Sequence, residues 1–198
     1  GKAVDIILSG TGVNEDYVLV LDAYSQTSLD IKNFGDTIYY VNLLHTDGSI
    51  KTYVALADES SLKGALAKYM IVSYGTEYDT VSVNSVDTTQ NNSFSYEIKK
   101  DQRILDGSYV ADNVVIFNQI NNIGGQNNDA SVLRWSDLPA GRLEMGKIKY
   151  IHRTGDFGDI DVLFVDNILD EQCSYGVVAS LGKSTVTNGV TLYSMNVM

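Results

Sequence analysis

Runs of Val, Ile, Tyr and Thr recur along the 198 residues and are cut every 8–15 residues by clusters of Gly, Asn, Asp, Ser and Thr. Such runs suit a pleated, half-buried backbone, and the clusters between them supply turns. Proline occurs once, at Pro139, so these small polar residues carry nearly all of the turn chemistry. The rhythm predicts strands near 4–9, 16–24, 36–44, 49–56, 69–74, 80–86, 94–98, 114–118, 131–135, 147–152, 160–165, 175–180 and 190–197. "HTDGSIKTY" predicts a hairpin in which Asp47-Gly48 makes a tight turn that needs positive φ. Helical patterning is confined to "DESSLKGALAKYM". There Asp58 or Ser60 caps a short helix with Leu62, Leu66 and Tyr69 on one face, and Gly64 weakens it. A second single turn is expected at "SDLPAG". Strands at this spacing build small barrels or sandwiches.

The chain also repeats itself. Aligning Asp5 with Asp161 brings two apolar runs together. After a two-residue insertion Tyr17 meets Tyr175, and after a four-residue deletion Gly35 meets Gly189. Thr37, Tyr39 and Asn42 then meet the identical Thr191, Tyr193 and Asn196. A fainter echo links "SSLKGALAKYMIVSYGTEYDTVSV" with "SDLPAGRLEMGKIKYIHRTGDFGDIDVLFV". Self-similarity at long spacing marks modular proteins. The expected fold is therefore mostly β: two small barrel- or sandwich-like units built from repeated β-modules, with one short helix. The units are residues 1–98 and 99–198, and the end of the second, 160–198, resembles 3–44. On this reading the chain is a window from a longer run of alternating modules, its last copy stopping before the hairpin that Asp47-Gly48 closes in the first.

Composition narrows the function classes. A net charge of −11 opposes binding to nucleic acid or anionic membrane surfaces. No apolar run approaches the length of a membrane span. The single Cys173 excludes an internal disulfide and multi-cysteine zinc sites. His45 and His152 have no metal-ligand spacing, and a Cys–His pair with Cys173 has no supporting motif, so no catalytic residue and no cofactor is assigned. Two binding alternatives are carried forward. Asp156, Asp159 and Asp161 lie in an acidic stretch whose carboxylates suit calcium, although the spacing is not that of an EF-hand loop. Trp135 and Tyr24 are candidates for stacking on sugar rings, against the plainer reading of aromatics packed across strands.

The segments "YVLVLDAYSQ…GDTIYYVNLLHTDGSIKTY", "GSYVADNVVIFN", "ASVLRWSDLPAGRLEMGKIKYI" and "YGVVAS" resemble the repeat region of Gram-positive surface proteins that carry S-layer homology domains. In that pattern Gly-Asp follows the Leu turn, where this chain has Gly141-Arg142. The resemblance implies an extracellular, wall-associated protein with a non-catalytic structural or adhesive role. Its partners would be cell-wall or surface-layer components, and its anchoring domains would lie outside this chain. The alternative is a carbohydrate- or calcium-binding β-domain of an exported protein.

Overall fold

A computed structural model describes residues 17–31, 34–89, 93–121, 128–154 and 158–168, together with 178–181, 185–187, 190–192 and 195–197. The chain divides into two compact units, Gly1–Ile168 and Leu169–Met198. Among the described residues all regular structure is β apart from three-residue 3-10 turns, as the sequence rhythm requires.

The first unit opens with a closed five-stranded barrel. Its strands are β1 (Tyr17–Thr27), β2 (Thr37–Leu44), β3 (Ile50–Ala55), β4 (Leu66–Ser73) and β5 (Thr80–Ser85), in the order β1-β2-β3-β5-β4. The barrel closes where Tyr17, Val18 and Leu19 pair with Lys68, Ala67 and Leu66. A bulge between Val20 and Asp22 bends β1, whose start pairs with β4 while Leu19–Thr27 follows β2. Val18, Val20, Ala23, Val41, Leu43, Tyr53, Ala55, Ala67, Val81 and Val83 fill the interior. The β2–β3 turn lies at Asp47-Gly48, with Gly48 at φ +81°, a conformation a side chain would strain. It is wider than a two-residue hairpin. His45 N–H donates to Ser49 O at 2.9 Å, and Ser49 N–H donates to the Asp47 carboxylate at 2.8 Å.

The helix expected over 58–70 is corrected to one 3-10 turn, Ser60–Leu62, followed directly by β4. Leu66 and Tyr69, placed on one helical face by the sequence pattern, are strand residues. The β-branched Ile71 and Val72 and the Gly64 break compete with helix, and pairing with β1 and β5 decides for strand. Gly64 N–H donates to Val20 O at 2.7 Å and Val20 N–H to Ala65 O at 3.0 Å, zipping this segment to β1 beside the bulge.

The remainder of the first unit is a seven-stranded sheet. It comprises β6 (Tyr96–Lys99), β7 (Ile104–Leu105), β8 (Ser108–Asn121), β9 (Asn128–Leu133), β10 (Gly141–Leu143), β11 (Ile148–Arg153) and β12 (Ile160–Asp166). The order is β10-β6-β7-β8-β12-β11, and β9 also pairs with β8. Residues 160–165, grouped by sequence with the terminal module, instead run through this sheet as β12, parallel to β8 and antiparallel to β11.

Barrel and sheet share a core. Val18 and Val20 point into the barrel, whereas Tyr17 and Leu19 join Leu44 and Leu66 against Val115, Phe117, Val162 and Phe164. Strand β1 therefore has two buried faces, which is why "YVLVL" is apolar without alternation. The same reason covers "IDVLFV" in β12, where every residue is buried.

Parts of both echoes in the sequence have structural counterparts. The 3-10 turns Ser60–Leu62 and Trp135–Asp137 each precede a positive-φ glycine, Gly64 and Gly141, and then a hairpin, β4–β5 or β11–β12. In each hairpin the second strand also pairs in parallel with an earlier strand, β5 with β3 and β12 with β8. In the second unit, β13 (Val178–Leu181) pairs with β16 (Met195–Val197), and β14 (Thr185–Thr187) pairs with β15 (Val190–Leu192). In β1–β2 the pairs Val20↔Leu43, Asp22↔Asn42 and Ala23↔Val41 surround the bulge. Their counterparts by the sequence alignment are Val178↔Val197, Ser180↔Asn196 and Leu181↔Met195, and these are the observed pairs, with the register shift at the same step. Farther along, β14–β15 is offset by one residue from the first copy: Thr191 faces Val186, where the alignment opposes Thr185. The strand near 4–9 and the aligned Tyr175, Gly189 and Tyr193 lie outside the described residues.

Candidate functional site

Of the proposed calcium ligands, Asp161 is 4% exposed on β12 and fully engaged. One carboxylate oxygen lies 2.6 Å from His152 Nδ1 on β11, and the other accepts the Thr154 hydroxyl at 3.1 Å. Asp159 is exposed, and its main-chain oxygen accepts from Thr154 N–H at 3.1 Å. Asp156 lies outside the described residues. Among the described residues no three His, Cys, Asp or Glu side chains come together as a metal site would require.

The His152–Asp161 pair has the form of an oriented base, but Thr154 donates its hydroxyl to the carboxylate rather than to the imidazole. Its surroundings are those of a packing joint. The His152 ring lies 5.4 Å from Tyr17 of the barrel, and the Tyr17 hydroxyl is 3.2 Å from that of Tyr150. Lys68 sits 4.6 Å above the Tyr17 ring. Cys173 lies outside the described residues.

His45 is a barrel-end residue. It is buried at the close of β2, its Nε2 shares a 3.0 Å hydrogen bond with the Tyr53 hydroxyl, and Tyr69 meets it edge-on at 5.1 Å. Burial holds its pKa below the ordinary 6.5; the nearby Lys51 adds to this and Asp47 opposes it. Burial and the neighbouring Tyr69 push Tyr53 up to about 12. In the unfolded chain His45 takes up a proton near pH 6.5, whereas in the barrel it resists. Stability is therefore expected to fall as pH drops below about 6.5 towards the depressed folded value. Urea melts of wild type and His45→Gln between pH 5 and 8 check this, and the variant should show the flatter profile.

Trp135 is corrected from a sugar-stacking surface to a core residue. It is 6% exposed, and its indole N–H donates to Lys100 O at 3.0 Å. The Arg103 guanidinium stands 5.9 Å from its ring and also bonds the carbonyls of Val110 and Ala111. A groove of about 510 Å³ opens beside it, lined in part by Thr46, Asp112 and Ser136. The Trp ring contributes a buried wall there rather than an open face.

Tyr24 has a different setting. It faces outward from β1, 36% exposed, directly opposite Tyr40 of β2. The two rings are 5.4 Å apart and within 17° of parallel. Tyr78, 37% exposed in the β4–β5 loop, meets Tyr40 at 5.6 Å and 79°. The row continues by register through Val54 to Thr80. The neighbouring outward row is polar: Asp22, Asn42 and Thr52, in which the Thr52 hydroxyl donates to Asn42 Oδ1 at 2.8 Å and Lys63 pairs with Asp22 at 2.6 Å. Partial burial raises the Tyr24 pKa, and the nearby Tyr78, Tyr40 and Asp22 raise it further. Tyr40 falls on the strand expected over 36–44, but its place opposite Tyr24 depends on the bulged register of β1. Tyr78 was not, because the loop that folds it back leaves no periodic signal.

Among the described residues no helix is long and apolar enough to cross a membrane. No family model, curated protein or solved structure matches the chain.

Proposed function

We propose that the chain is a non-catalytic structural module of a bacterial cell-surface protein of the S-layer-associated kind, spacing and presenting surfaces outside the cell. The observation that carries this reading is the second use of one hairpin: β13–β16 repeats the register and the bulge of β1–β2. A chain that reuses a scaffold gains length and surface from each copy. The polar groups with distinctive chemistry fit the same reading. His45 closes a barrel end, and His152 and Asp161 lock β11 to β12 beside Tyr17. The resemblance to repeat regions of S-layer homology proteins supplies the location.

The test is surface exposure on intact cells that express the chain naturally. Antibodies raised against the barrel and sheet should label whole cells, and protease added outside should remove the label. Label found only after lysis overturns the reading.

A further inference from the structure

We propose that the outward surface formed by Tyr24, Tyr40 and Tyr78, with Asp22 and Asn42 in the adjacent row, binds a neutral polysaccharide strand. The inference goes beyond the structural role, and a spacer module without this site would leave that role intact.

Sugars present apolar C–H faces flanked by hydroxyls, and they are held by aromatic rings beside hydrogen-bonding groups. The barrel wall offers both in adjacent rows: rings from β1, β2 and the β4–β5 loop, then the carboxylate of Asp22 and the amide of Asn42. At a strand spacing of about 4.8 Å, the three-strand width of this wall is about 10 Å, a shallow track suited to an extended chain rather than a small enclosed ligand. Charge selects among polymers. A protein of net charge −11 disfavours polyanionic chains; at the surface itself the Asp22 carboxylate is paired with Lys63, so the site is close to neutral.

A cross-strand tyrosine pair by itself stabilises a sheet. Tyr78 adds nothing to the ladder, yet its loop is built to place it. A Cβ on Gly75 would fall 1.9 Å from Tyr78 O, so the close turn of this loop requires glycine. The turn is fixed by Gly75 N–H donating to the Asp79 carboxylate at 3.1 Å and Val54 N–H donating to Asp79 O at 3.0 Å.

Calorimetric titration of the full chain with soluble oligomers of β-linked glucose, N-acetylglucosamine and mannose, and with polygalacturonate as a polyanion, tests the site. Binding to at least one neutral oligomer and not to the polyanion is expected. Tyr78→Ala, which leaves the ladder whole, should weaken that binding roughly tenfold while lowering the melting temperature only by the modest cost of its edge contact with Tyr40. Tyr24→Phe should keep it within about twofold, because the ring is retained. Failure of every neutral oligomer to bind overturns the proposal, as does binding that Tyr78→Ala leaves unchanged. Self-association that Tyr78→Ala abolishes also overturns it, by giving the surface to a second copy of the chain.

Discussion

Phe117→Ala should destabilise the first unit by about 3–5 kcal/mol, a fall in Tm of roughly 10 °C. Phe117 is wholly buried in the middle of β8, paired with Val132 on β9 and Phe164 on β12. It belongs to the cluster that also contains Tyr17, Leu19, Leu44 and Leu66 of the barrel. Truncation removes a ring from a site walled by several strands, where little collapse can refill the space. The same cluster makes barrel and sheet one cooperative body. Leu19→Ala, a change on the barrel side, should therefore shift the transition reported by Trp135, the only tryptophan, which packs against Lys100 and Arg103 beyond the barrel. Denaturant melts followed by Trp fluorescence and by tyrosine near-ultraviolet circular dichroism should coincide in wild type and move together in both variants. Two separated transitions, with Leu19→Ala moving only the tyrosine signal, would show that the two sheets fold independently.

The parts legible in the sequence are those set by local rules. Strand rhythm gave the β class, and Asp47-Gly48 gave the β2–β3 turn. Aligned Gly, Tyr and Asn positions gave the duplication that appears as matched register around the bulge. What escaped depends on contacts between distant segments. "SSLKGALAKYM" carries weak helix propensity, and pairing with β5 and with Tyr17–Leu19 extends the strand expected from residue 69 back to Leu66. Trp135 admits both a stacking face and a packed ring in the sequence, and Lys100 and Arg103, both in a separate turn, decide for packing. Asp161 alternates with apolar neighbours and reads as a wet-face residue. Packing buries both faces of β12, and antiparallel pairing with β11 sets the carboxylate beside His152 instead.

That burial sets up an asymmetry that mutation should expose. His152→Ala is expected to cost about 3 kcal/mol, because it leaves the Asp161 carboxylate buried with the Thr154 hydroxyl on one oxygen and no imidazole on the other. Asp161→Asn should cost about 1 kcal/mol, because the amide fills the same space and the partners it disappoints, His152 and Thr154, have access to water. Replacing both His152 and Asp161 by leucine should cost less than His152→Ala alone, since the buried carboxylate is then removed together with its partner. Urea denaturation of the three variants at pH 7 provides the comparison. If His152→Ala costs no more than Asp161→Asn, the carboxylate is reached by water when its partner is removed. The pair would then be a surface ornament of the joint and not a lock between β11 and β12 beside Tyr17.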